Sequence, residues 1–124
     1  MIERPAEPRR LRFPGRHRVK KRKEFLQIRG AGHSVRDQNM RVGWRERGDE
    51  SPARLGLAVT RRMGNSVARN RIKRVLREAW RLQPGLFPRG VDIVVIPLAR
   101  ERCKLYEEVR RSLSRLSRRM AGKD

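Results

Sequence analysis

The stretch VDIVVIP, residues 91–97, is short, β-branched and apolar almost throughout, and it is bounded by Gly90 and Pro97. A run that does not alternate with polar residues suits a strand inside a sheet with both faces covered. This requirement is severe in a chain of 124 residues that is 36% hydrophobic and 38% charged. One sheet must form around the strand and helices must close it. A single domain is expected, because roughly 100–150 residues is the usual domain size and leaves no room for a second.

The other patterns supply the partners. HRVKKRKEFLQIRGAG sets Val19, Phe25 and Leu26 among good helix formers and stops at Gly30 and Gly32, which predicts a short helix. NMRVGWRERG alternates Met40, Val42 and Trp44 with polar or small residues. ARLGLAVT alternates Leu55, Leu57 and Val59 with Gly56, Ala58 and Thr60. Both read as half-buried strands, and the turn formers of ERGDESP between them predict an antiparallel hairpin with a mobile loop. In RRMGNS, Gly64 and Asn65 break the strand and Ser66 is placed to cap a helix that ends near Leu82, before Pro84 and Gly85. Leu105, Val109, Leu113, Leu116 and Met120 recur at helical spacing in a last amphipathic helix. The expected order is α-β-β-α-β-α, an α/β arrangement without internal repeats.

Residues 1–16 carry Pro5, Pro8 and Pro14 and read as a flexible basic arm, which leaves 17–121 as the folded domain. The N-terminus lacks the apolar stretch of a secretory signal, and no segment approaches the ~20 apolar residues of a membrane span, so a soluble, cytoplasmic protein is expected. Cys103 is the only cysteine and reads as structural or neutral.

Charge indicates the partner. Lys and Arg number 34 against 13 Asp and Glu, a net +21, and self-repulsion on this scale points to a polyanion. The bias is concentrated in ARNRIKRVLREAWR, residues 68–81, which has six basic side chains and one acid, Glu78. At 100° per residue, Ala68, Ile72, Val75, Leu76 and Ala79 fall within an arc of about 100°, and Asn70, Lys73, Arg74, Arg77 and Arg81 lie opposite. Arg69 with Lys73, Lys73 with Arg77, and Arg77 with Arg81 are like pairs, each unfavourable by about 0.2–0.5 kcal/mol, while Arg74 with Glu78 returns one such unit. A merely solvated face would intersperse acids. A row of guanidiniums one turn apart instead follows a phosphate backbone, with Asn70 able to reach a base or ribose. Charge alone does not separate DNA from RNA.

The motif does. LGLAVTRRMGNSVA followed by RNRIKRVLREAW resembles the arginine-asparagine-arginine signature of the bacterial ribonuclease P protein subunit. The likeness extends from RFPGRHRVKKRKEF through Ser34 and Val35 to VDIVVIPLA and the last helix. It implies a small α/β sandwich (an α+β fold) with a mixed sheet, shared with a domain of a small-subunit ribosomal protein. It also implies a left-handed strand-helix-strand crossover, although ~98% of such connections are right-handed. The implied function is to assist a catalytic RNA that removes the 5′ leader of precursor tRNA, with Mg²⁺ bound mainly by the RNA and no further protein partner required.

By position, the resemblance makes Arg69, Asn70, Arg71, Lys73, Arg74 and Arg77 contacts to the catalytic RNA or its substrate, and Arg61 and Arg62 the basic pair ending the second strand. Arg81 extends the same face. Arg71, nearer the apolar arc, has a second candidate role in bracing the turn before the helix. The implied leader cleft lies between the first helix and the sheet and contains Phe25. One turn later stands Arg29, where relatives often carry a second aromatic and where a phosphate contact can take its place. Trp44 is either a stacking platform from the sheet or a half-buried core residue. No convergent carboxylates or histidine pair suggest a protein nuclease, since His17 and His33 sit in basic or glycine-rich surroundings and Glu107 and Glu108 balance Arg110 and Arg111. The competing class is a ribosomal-type or RNA-chaperone protein without a role in tRNA processing.

Overall fold

The computed structural model describes residues 18, 19 and 21–122; the basic arm and His17 lie outside the described residues. The elements are α1 (Arg22–Gly30), β1 (His33–Arg36), β2 (Met40–Glu46), β3 (Arg54–Leu57), α2 (Ser66–Arg81), β4 (Val91–Pro97) and α3 (Tyr106–Met120), with short 3₁₀ turns at Arg61–Met63 and Arg102–Lys104. The fold is a mixed α+β sandwich with one more strand than the sequence predicts, the four-residue β1.

The sheet runs β1-β2-β4-β3. β4 lies inside it as expected, with six of its seven residues buried, antiparallel to β2 and parallel to β3. The predicted hairpin is therefore corrected: β2 and β3 do not pair, because β4 sits between them. A strand that is apolar on both sides gains most at the centre, and it is the chain segment after α2 that fills that place. β2 instead forms its hairpin with β1, Val35 opposite Val42.

The 47–53 connection, expected to be a mobile loop, is tied down. Arg47 N–H donates to Gly90 O at 2.7 Å, Gly90 N–H to Ser51 O at 2.7 Å, and Arg89 Nη1 to Glu50 O at 3.0 Å. Gly90 has φ +77°, and a Cβ there would stand 2.2 Å from Asp49 O, so only glycine fits.

Strand alternation divides the core in two. One sheet face, with Met40, Val42, Leu55, Val91, Ile93 and Val95, packs against Ile72, Leu76 and Ala79 of α2 and Val109, Leu113 and Leu116 of α3. On the other face, among the described residues, the buried apolar cluster is Val19, Ile28 and Val94, joined by Phe25, Ala58 and Ile96. Within α1 the buried anchor is Ile28, whereas Leu26, expected among the apolar set, is 51% exposed. Val19 precedes the helix and donates its N–H to Leu55 O at 2.9 Å, alongside β3.

Asn39, in the β1–β2 turn, is buried and donates from Nδ2 to Ser112 Oγ at 2.8 Å. Its carbonyl accepts from Leu98 N–H, Ala99 N–H and the Cys103 thiol. Cys103 is fully buried and burial pushes its thiol up, consistent with a structural role. No helix among the described residues is long and apolar enough to cross a membrane.

Candidate nucleic-acid interface

The signature helix begins where the backbone permits it. Gly64 has φ +112°, and a Cβ there would lie 2.9 Å from the Ala68 Cβ and 3.0 Å from the Arg100 guanidinium. The N-cap is Asn65, not Ser66 as expected: its Oδ1 accepts from Ala68 N–H at 3.0 Å, and Ser66 is already the first helical residue. From that start the apolar arc falls as the sequence indicates, with Ile72, Leu76 and Ala79 buried and Ala68 and Val75 half-buried.

The opposite face is basic. Asn70, Arg71 and Arg74 are exposed, Arg69, Lys73 and Arg77 are half-buried, and Arg61 and Arg62 are exposed in the 3₁₀ turn that follows β3. Asn70, Arg74, Arg77, Glu78 and Arg81 line one shallow depression. Glu78 pairs with Arg81, Oε1 to Nη2 at 2.7 Å, rather than with Arg74. Arg81 is therefore already partnered, and Arg74 keeps no acid partner among the described residues. Arg77 has its pKa lowered by burial and by the guanidinium of Arg18, which lies close enough to repel it. Arg18 enters from the segment beside β3, a contribution that helix periodicity could not reveal.

On the other face of the sheet, α1 and the strands enclose a groove of about 640 Å³. Phe25, Leu26 and Arg29 wall it from the helix, and Gly43, Val94 and Ile96 are on its floor. Arg22 and Arg41, both exposed, bring two further cations to it. Phe25 rests on β3, because a Cβ on Gly56 would come within 2.9 Å of the Phe25 ring and 3.0 Å of the Val19 Cβ. Phe25 and Arg29 thus share the groove as expected. Trp44 does not. It shares the side of β2 that carries Met40 and Val42, packs half-buried against the main core, and stacks on His33 at 5.4 Å between centroids. The floor is Gly43, between Val42 and Trp44, because successive side chains point to opposite faces. The same alternation could have identified Arg41, Val94 and Ile96, which sequence reasoning missed.

Beside the groove lies a fully buried carboxylate. Asp92 Oδ1 accepts from Arg47 Nη1 at 2.6 Å and Arg54 Nε at 2.8 Å, and Oδ2 accepts from Arg45 Nη2 at 2.9 Å and Arg54 Nη2 at 2.8 Å. Two of these arginines continue to α1, Arg54 Nη2 to Glu24 Oε2 at 2.6 Å and Arg45 Nη1 to Gln27 Oε1. Burial alone would raise the Asp92 pKa, but the hydrogen bonds from Arg54, Arg47 and Arg45 outweigh it and hold the carboxyl well below the usual carboxylate range. Asp92 in turn raises the pKa of Arg54.

Among the described residues, no three His, Cys, Asp or Glu side chains converge as a metal site would require. Glu107 is taken up by Arg110 at 2.9 Å, and Glu108 accepts from Asn39. His33 is exposed.

The ribonuclease P family model matches residues 13–121. The chain belongs to the ribonuclease P protein family. It is 38% identical over 118 residues to the ribonuclease P protein component of Thermotoga maritima, covering 89% of this chain and 97% of that one. To the component from Bacillus cereus it is 34% identical over 110 residues, covering 87% and 94%. The solved ribonuclease P protein of Thermotoga maritima superposes with a TM-score of 0.71 at 36% identity, covering 82% of this chain and 96% of that chain. That of Staphylococcus aureus gives 0.70 at 30%, covering 81% and 91%. Membership in the ribonuclease P protein family makes the chain a tRNA-processing subunit, not a ribosomal-type or chaperone protein.

Proposed function

We propose that the protein docks on the catalytic RNA of ribonuclease P through the outward face of α2 and holds the 5′ leader of precursor tRNA in the groove beneath α1. The RNA, with Mg²⁺ bound mainly by the RNA, then hydrolyses the bond between leader and tRNA in the cytoplasm. The carrying observation is the placement of two different surfaces on opposite faces of one sheet. The chain passes from one to the other through Thr60, which lines the groove and opens the Arg61–Met63 turn that leads to α2. One protein can therefore bind a folded RNA and a single strand together.

Within the groove, Phe25, Leu26 and Ile96 offer apolar contact to unstacked bases, and Arg22, Arg29 and Arg41 offer cations to the flexible backbone. Such contacts read no sequence. Arg74 and Arg77 anchor phosphates of the catalytic RNA, with Asn70 within the same depression.

Phe25→Leu tests the groove while keeping apolar volume against Gly56 and Val19. In the reconstituted holoenzyme, affinity for precursor tRNA with a leader of several nucleotides should fall by about 1–3 kcal/mol, the worth of one stacked base. Affinity for mature tRNA should stay the same, and the melting temperature is measured alongside. A folded variant that loses affinity equally for both, or for neither, would remove the leader from this groove.

A further inference from the structure

We propose that Asp92 is a positioning residue for the groove, which sets the place of α1 through Arg45 and Arg54. This rests on the reading of the groove as the leader site. Burial alone is a weak locator for α1: the helix has nine residues, one of them fully buried. Helices so short are marginal by themselves. The floor beneath it contains Gly43 and Gly56, so it presents few side-chain ridges to fix a helix sideways. What fixes it is polar. Glu24 and Gln27, three apart on one flank, are held by Arg54 and Arg45, and both guanidiniums are held by the same buried carboxylate. Phe25 and Arg29, on the other flank, face the groove. Two attachment points set both the sideways position of α1 and its rotation about its own axis. Four hydrogen bonds fill the acceptor sites of Asp92 and leave the arginine forks little freedom.

The test severs α1 from the network and spares Asp92 and its arginines. Glu24→Ala/Gln27→Ala removes both acceptors, and the exposed Lys21 N–H, which Glu24 accepts at 3.4 Å, turns to water. Removing an acid beside a polyanion site would strengthen binding if charge alone mattered. Loss of positioning predicts the reverse: about three- to tenfold weaker holoenzyme affinity for leader-bearing precursor, an unchanged affinity for mature tRNA, and faster hydrogen exchange in α1 but not in α2. Unchanged exchange in α1, or faster exchange with the wild-type leader preference kept, overturns the proposal while the leader groove stands. A wild-type holoenzyme without any leader preference removes the groove reading itself, and this inference with it.

Discussion

Asp92→Ala is expected to destabilise the protein by about 3–5 kcal/mol, the cost of removing one member of a buried ionic cluster. The guanidiniums of Arg45, Arg47 and Arg54 would then face one another without their shared carboxylate. Denaturant unfolding at neutral pH measures the loss, and a change below 1 kcal/mol would show that water replaces the carboxylate freely. The pH dependence has a definite sign. The folded pKa of Asp92 lies below the unfolded value of 3.8, so its contribution is complete above about pH 5 and fades as pH falls through the folded value. The stability difference between wild type and Asp92→Asn should therefore be flat between about pH 5 and 8 and should shrink below about pH 4. A difference that grew on acidification would contradict the network.

The second large effect is expected for Arg74→Ala/Arg77→Ala. Arg74 is exposed and projects away from the core, so the fold should survive. Arg77 is half-buried with its pKa lowered by burial and by nearby Arg18, and an arriving phosphate would offset that repulsion. Loss of two charge-assisted contacts should weaken binding of the catalytic RNA roughly a hundredfold near ~0.1 M salt. The slope of log K against log salt should become shallower by about 0.7–0.9 per contact. Titrations at several KCl concentrations decide it, and an unchanged slope would make this face an ordinary solvated surface.

Helix α2 was legible because its information is local: the apolar arc, the glycine turn and the charge run all lie within twenty residues. VDIVVIP was legible as a central strand for the same reason. The hairpin expectation failed because turn formers between two strands say where the chain bends and not what pairs with it. Taken further, the demand of β4 for two neighbours would have separated β2 from β3. β1 left little trace, being four residues of which three are exposed. Asn65 and Ser66 are both good caps, and only the Gly64 turn decides between them. Trp44 attracts attention as an aromatic among cations, yet its parity with Met40 and Val42 assigns it to the main core. The Asp92 cluster was not legible at all, since its partners come from α1, β2, the loop after it and β3. A lone acid in an apolar strand announces a need for partners without naming them.

Reconstitution with the cognate RNA tests the central claim most directly. Precursor tRNA is incubated with that RNA across a range of Mg²⁺ concentrations, with and without the protein. Cationic side chains screen phosphate repulsion that metal must otherwise suppress, so the protein should permit cleavage at the leader junction at Mg²⁺ levels where the RNA alone is nearly inactive. Protein without RNA should not cleave. Identical Mg²⁺ dependence with and without protein, or cleavage by protein that survives ribonuclease treatment and repurification, would contradict the account.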